Sequence, residues 1–151
     1  MPISQAMVTS FKVDILNGVH NFGVGVIRAS TAADVFKLAL YTSSATLSAS
    51  TTAYTTSDEV SSSGTNYPAG GLTLTISQAP TSTGTTSWLD FDDLSFPSAT
   101  LTARGALIYN ATQSNKAVAV LDFGSDKTST AGNFTIQFPA ANSTSAILRI
   151  A

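Results

Sequence analysis

Three aspartates crowd the stretch WLDFDDLSF, at Asp90, Asp92 and Asp93, and two more, Asp122 and Asp126, follow in LDFGSDKTSTAG. Asp90 and Asp92 lie two apart, so an extended strand would place them on one face. Carboxylates paired in this way can serve acid–base chemistry or hold a calcium ion. That face also carries Trp88, Leu94 and Phe96, which are core-facing types. The economical reading is a strand leaving the core, or a bulge that turns Asp93 toward Arg104. Arg104, Asp93 and Asp122 are then the candidates for structural ion pairs, and calcium binding by the aspartate cluster stays open.

Other reactive types are sparse. His20 is the single histidine and cysteine is absent, so thiol chemistry, disulfides and a thiolate metal site are excluded. No Gly-x-Ser-x-Gly elbow is present to give His20 a nucleophile, and its position in NGVHNF suits a surface or capping role. NFGVGV contains Gly23 and Gly25 but lacks the third glycine of a dinucleotide loop. LDFG at 121–124 has none of the companion motifs of a kinase and reads as a turn, with Asp126 bonding backbone amides and Gly124 relaxing the chain. No catalytic residue, cofactor, metal or small-molecule substrate is expected.

The elements that would position these groups are mostly strands. With 151 residues the chain fits one domain, spanning 1–151. Charged residues are only 11% and the net charge is −2, which gives no basic footprint for nucleic acid. Ser and Thr make up more than a quarter of the sequence, so solubility rests on hydroxyls and surface self-repulsion is weak. Such a composition suits a protein that sits against others. MPISQAMVTSFKVDIL has neither the basic nor the apolar region of a signal peptide, and no run is long enough for a membrane helix. Assembly in a cytoplasm is the expectation.

Val8, Phe11, Ile15, Leu16 and Val19 recur at helical spacing, which predicts one short amphipathic helix within 7–19, ended by Gly18. The segment 1–22 is then an arm or helix packed on a sheet or on a neighbour. VFKLALY (35–41) alternates as a strand, with Lys37 on the less buried face. The polar stretch 42–71 lacks periodicity and reads as a draped loop pegged by Tyr54 and Tyr67, with one helical turn at TSDEV. Strands are further expected at 71–77, 88–96, 101–111, 116–123, 133–138 and 145–150, and a turn at 79–87. Short strands separated by Gly, Pro and Ser turns point to an all-β fold, an antiparallel β-sandwich or jelly-roll-like barrel. The hairpin ARGALIYNATQSNKAVAVLDFG is apolar on both faces, and its alanine-rich face would take a close-packed neighbour, either the N-terminal helix or another subunit.

FKVDILNGVHNF, FKLALYTSSATL, TTAYTTSDEV, YPAGGLTLT, TARGALIYNATQSNKAVAVLDFGSDKTS and FTIQFP together resemble small virion structural proteins of tailed bacteriophages. Within that group the chain is most similar to capsid decoration, or cement, proteins. The resemblance implies a non-enzymatic virion protein on the capsid surface, homotrimeric, whose partner is the major capsid protein. A tail or head–tail component is the alternative. Phe11, Ile15, Phe22, Tyr54 and Tyr67 are the candidate subunit or capsid contacts. A more distant alternative is a carbohydrate-binding module using Trp88, Tyr54 and Tyr67.

Overall fold

The computed structural model describes residues 2–16, 18–23 and 33–151. Its elements are β1 (Ala6–Met7), α1 (Thr9–Leu16), β2 (Phe36–Tyr41), β3 (Leu72–Thr73), β4 (Ile76–Thr83), β5 (Thr86–Phe91), β6 (Leu94–Asn110), β7 (Lys116–Ile136) and β8 (Leu148–Ile150). The strands form two antiparallel sheets, ordered β1-β7-β6-β2-β3 and β4-β5-β8. Among the described residues the protein is therefore all-β with one short helix, and that helix is not long and apolar enough to cross a membrane.

The hairpin of β6 and β7 is the spine. Ser114 and Asn115 close it with left-handed backbone (φ 53° and 56°), a conformation that asparagine tolerates better than most residues. Near the turn the hairpin is buried throughout, from Gly105 to Asn110 on β6 and from Ala117 to Leu121 on β7. Register with β2 sets the two faces: Phe36, Leu38 and Leu40 lie beside Asn110, Ile108 and Ala106, while Lys37, Ala39 and Tyr41 lie beside Tyr109, Leu107 and Gly105. Neighbours along a strand point to opposite sides, so Tyr109 and Asn110 face different coverings.

On the Tyr109 side lie Ile3 and the 42–71 segment; a Cβ added at Gly105 would sit 2.8 Å from Ile3 Cδ1. On the Asn110 side, Phe22 stacks on Phe36 with ring centres 4.1 Å apart, and Phe91 of β5 approaches Phe36 at 6.2 Å. Phe11 meets Phe22 edge-on at 6.0 Å, which seats the helix on the same aromatic cluster. Phe11 is buried on α1 and Val8 just before it, in keeping with the predicted spacing. The amides of Gly18 and Val19 bond the carbonyls of Ile15 and Asp14, and Gly18 has the left-handed φ (66°) of a helix stop. The alanine-rich face thus finds its neighbour within the chain, with Ala106 and Ala117 wholly buried.

Three local expectations are corrected. Residues 79–87 are mainly strand, with only Gly84 and Thr85 in the turn; Pro80 is tolerated because β4 is an edge strand with register shifts on both sides of Gln78. Residues 121–132 continue β7, and Gly124 (φ 77°) lies in an irregular stretch of the ladder between the pairs Gly105–Asp122 and Ala103–Lys127. TSDEV forms a tight turn at Ser57 and Asp58, not a helical turn, because Glu59 is drawn into a bridge with Tyr41.

Candidate interaction surface

The aspartates do not converge. Asp90 is buried at the end of β5, its Oδ1 accepting the Phe91 amide at 2.9 Å, and burial raises its pKa above the usual carboxylate value. Asp92 and Asp93 are exposed in the break where the chain passes from one sheet to the other, and Asp93 Oδ1 accepts the Phe138 amide at 2.8 Å. The anticipated Asp93–Arg104 pair is thereby corrected, since Asp93 is occupied closing the 92–93 corner. Arg104 reaches Asp126 at 3.2 Å and Asp122 at 4.0 Å across the β6–β7 hairpin, a half-exposed group. Asp126 thus accepts from a guanidinium rather than from backbone amides. Among the described residues no three His, Asp or Glu side chains are grouped as ligands for a metal ion.

All four tyrosines of the chain anchor the 42–71 segment. Tyr54 and Tyr67 donate their hydroxyls to Glu59 Oε2 and Oε1, both at 2.7 Å, and Glu59 Oε1 also accepts the Gly70 amide at 2.7 Å. Tyr41 donates to the Thr55 carbonyl at 2.6 Å, and Tyr109 to the Gly70 carbonyl at 2.6 Å. Tyr54 stacks on Tyr109 with centres 4.7 Å apart, and Tyr67 Oη accepts the Leu40 amide at 2.9 Å. Burial pushes the pKa of every one of these phenols upward, that of Tyr109 to about 12. Leu47 and Val60 are further buried pegs, which the polar run of sequence around them conceals.

The anticipated contact residues divide accordingly. Phe11, Phe22 and Tyr67 are buried within the chain, so they are corrected from surface contacts to internal anchors. Ile15 and Tyr54 stay partly exposed. Ile15 lines an apolar cleft of about 470 Å³ between α1 and the smaller sheet, with Trp88, Leu148 and the exposed Ile150. Trp88 and Tyr67 therefore do not share an exposed sugar-binding platform with Tyr54.

His20 is the largest departure from expectation. None of its side chain is exposed, and Phe11 lies against the ring at 4.9 Å. Asn110 Oδ1 accepts the amides of Thr112 and Gln113 at 3.1 and 3.2 Å, which leaves Nδ2 to face His20 Nδ1 at 3.0 Å and Asp34 Oδ2 at 2.8 Å. His20 Nε2 lies 3.5 Å from Asp14 Oδ2, an electrostatic contact short of a well-formed hydrogen bond. Lys116 Nζ lies 3.5 Å from the same oxygen. Burial lowers the imidazole pKa, with Asp14 and Asp34 opposing that shift. Spacing alone could not find this site, because its members come from four separate segments. Gly25, part of the glycine motif beside it, lies outside the described residues.

Away from these anchors the hairpin changes character. From Gly124 to Ala131, β7 is exposed apart from half-buried Ser129, and β1 covers its outer edge only at Ala119 and Val120. Hydroxyls pair across this ribbon, Ser95 with Thr135 and Thr102 with Thr128, each at 2.9 Å. A groove of about 790 Å³ between the ribbon and the pinned segment is lined by Ser62, Thr65, Asn66, Ser98 and Thr100. Comparison with protein-family models, with curated proteins and with solved structures finds no match for the chain.

Proposed function

We propose that the chain is a structural protein of a tailed-bacteriophage virion: a non-enzymatic capsid decoration protein with a β-sandwich or jelly-roll core. It binds the major capsid protein on the particle surface and acts as a homo-oligomer, a trimer by the resemblance. The observation that carries the reading beyond that resemblance is the hydroxyl-rich surface of the outer hairpin and the 42–71 segment, held in place by buried anchors. A cement protein adds free energy to a shell by burying surface on its neighbours, about 800 Å² per partner for a standard contact. Few charges reduce the desolvation cost of such a contact, and a segment already pinned loses little entropy on binding.

The test is saturable binding of the purified protein to shells assembled from its own capsid protein, together with its position on the particle by cryo-electron microscopy. Binding and density on the head are expected. Density confined to the tail would replace this reading with the tail-component alternative. Binding on a glycan array, lost in Trp88→Ala without loss of folding, would replace it with a carbohydrate-binding role.

A further inference from the structure

The cluster around His20 ties α1 and the 18–23 segment, which no strand ladder holds, to the paired ends of β2 and β6. Asp14 belongs to α1, His20 to the 18–23 segment, Asp34 to the entry of β2, and Asn110 to the end of β6. The Asn21 amide donates to Asp34 Oδ2 at 3.0 Å, and the Asp34 amide to the Asn21 carbonyl at 2.9 Å. With Asn110 Oδ1 committed to two backbone amides, only an N–H group faces His20 Nδ1, so Nδ1 must accept and the neutral ring carries its proton on Nε2.

A proton added at Nδ1 would set two donors against each other at 3.0 Å. Flipping the amide offers no escape, since it would leave the Thr112 and Gln113 amides facing a donor and turn the carbonyl oxygen toward the Asp34 carboxylate. Water is poorly placed to take the new proton, because His20 borders the apolar cleft beside α1 without exposing side-chain surface there, and Phe11, Phe22 and Phe36 surround the ring. We propose that His20 is an acid-sensitive latch: protonation at Nδ1 breaks its contact with Asn110 and releases α1 and the 18–23 segment from the sheet, while the strands stay paired. The hinge lies at Val8 and Thr9, whose amides bond the Val118 and Ala49 carbonyls independently of the cluster. Release enlarges the apolar cleft beside α1 by uncovering Phe11, Phe22 and Phe36, which are buried while the latch is closed.

Among the described residues the charged groups facing the ring are Asp14 on α1, Asp34 before β2 and Lys116 on β7. Both aspartates favour the imidazolium, Lys116 opposes it, and burial outweighs the attraction while the latch is closed. Opening removes that burial and lets the ring charge.

His20 is the sole histidine, so its ring nitrogens can be followed by NMR without assignment ambiguity. The neutral ring should show Nδ1 unprotonated. Hydrogen exchange, corrected for intrinsic rate, should quicken about tenfold or more in 9–16 and 18–23 between about pH 7.5 and about pH 5, with β6 and β7 unchanged. His20→Gln, which cannot charge, should lose this acid response while keeping strand protection at neutral pH. The proposal fails if the ring titrates with no change in α1 protection, if Nδ1 proves to be the protonated nitrogen, or if folded His20→Gln opens in acid like the parent. Should His20→Gln not fold, the first two readouts on the parent protein still decide the matter.

Discussion

Two polar clusters clamp non-strand segments onto opposite faces of the same sheet, and adjacent residues of β6 begin them. Tyr109 faces the tyrosine–glutamate cluster that holds 42–71, and Asn110 faces the histidine–aspartate cluster that holds α1 and 18–23. In the first, Glu59 takes three donors at 2.7 Å and every tyrosine hydroxyl is bonded. In the second, His20 Nε2 lacks a good partner, as does Ser10 Oγ on the neighbouring helix. A fully satisfied buried network is rigid, whereas one with unmet donors opens at lower cost. The sheet is thus covered permanently on one side and conditionally on the other.

The largest effect that would expose this difference is at the return of the pinned segment. Gly71 has φ 74°, and a Cβ there would lie 1.7 Å from the Leu38 carbonyl oxygen, so backbone must move. Gly71→Ala should cost more than about 3 kcal/mol in urea unfolding, from strain plus displaced β2 contacts. Gly64→Ala, with a similar φ (71°) and open space around it, should cost only about 1 kcal/mol. Equal costs would mean that the segment is not seated tightly on the sheet.

Glu59→Gln comes next. The amide retains one acceptor oxygen where the carboxylate oxygens receive Tyr54, Tyr67 and the Gly70 amide, so one tyrosine hydroxyl loses its charge-assisted acceptor and must turn to accept from the amide nitrogen. A loss of about 1–3 kcal/mol is expected, with faster hydrogen exchange confined to 42–71. Faster exchange in α1 as well would show the two clusters to be coupled through β6 rather than independent.

Much of this frame is legible in the sequence. Alternation in NFTIQF and the spacing of Val8 and Phe11 are direct images of burial, because period two and period 3.6 record which face meets the core. FKLALY, by contrast, is buried on both faces, and its expected less buried face shows only at Lys37. The pegs Tyr54 and Tyr67 are legible as large side chains in a polar run. The continuation of β7 through GSDKTSTAG is not, since exposed residues on a ribbon carry no hydrophobic period. The His20 cluster is illegible for another reason: Asp14, His20, Asp34 and Asn110 come together only through tertiary packing. Asp93 and Arg104 show the converse, two residues whose charges invite a pairing that the chain's path at the 92–93 corner forbids.

The clusters should fail at opposite ends of the pH scale. The tyrosine pKa values are raised in the fold, so their contribution is fully present below the ordinary value near 10 and is lost as pH rises beyond it. The His20 pKa is lowered, so its contribution is fully present above the ordinary value near 6.5 and is lost as pH falls toward the folded value. Each proton involved gives a slope of at most about 1.4 kcal/mol per pH unit. Unfolding free energy measured across pH should therefore decline on both sides of a neutral plateau. Tyr109→Phe should reduce only the alkaline decline, and a change in the acid limb would contradict the separation of the clusters.

The smallest effect separates electrostatics from packing within the conditional cluster. Lys116 Nζ is 3.5 Å from Asp14 Oδ2, but its side chain is 41% exposed, so water and salt screen the pair. Lys116→Ala should cost no more than about 1 kcal/mol. Its charge nevertheless works against protonation of His20, as burial does, and removing it leaves Asp14 and Asp34 unopposed in drawing the proton. The histidine titration should therefore move to higher pH in Lys116→Ala, by an amount that shrinks as salt is added, while the alkaline limb stays where it was. An unmoved histidine titration would mean that burial alone sets the imidazole, and that the charges around the ring are bystanders to the latch.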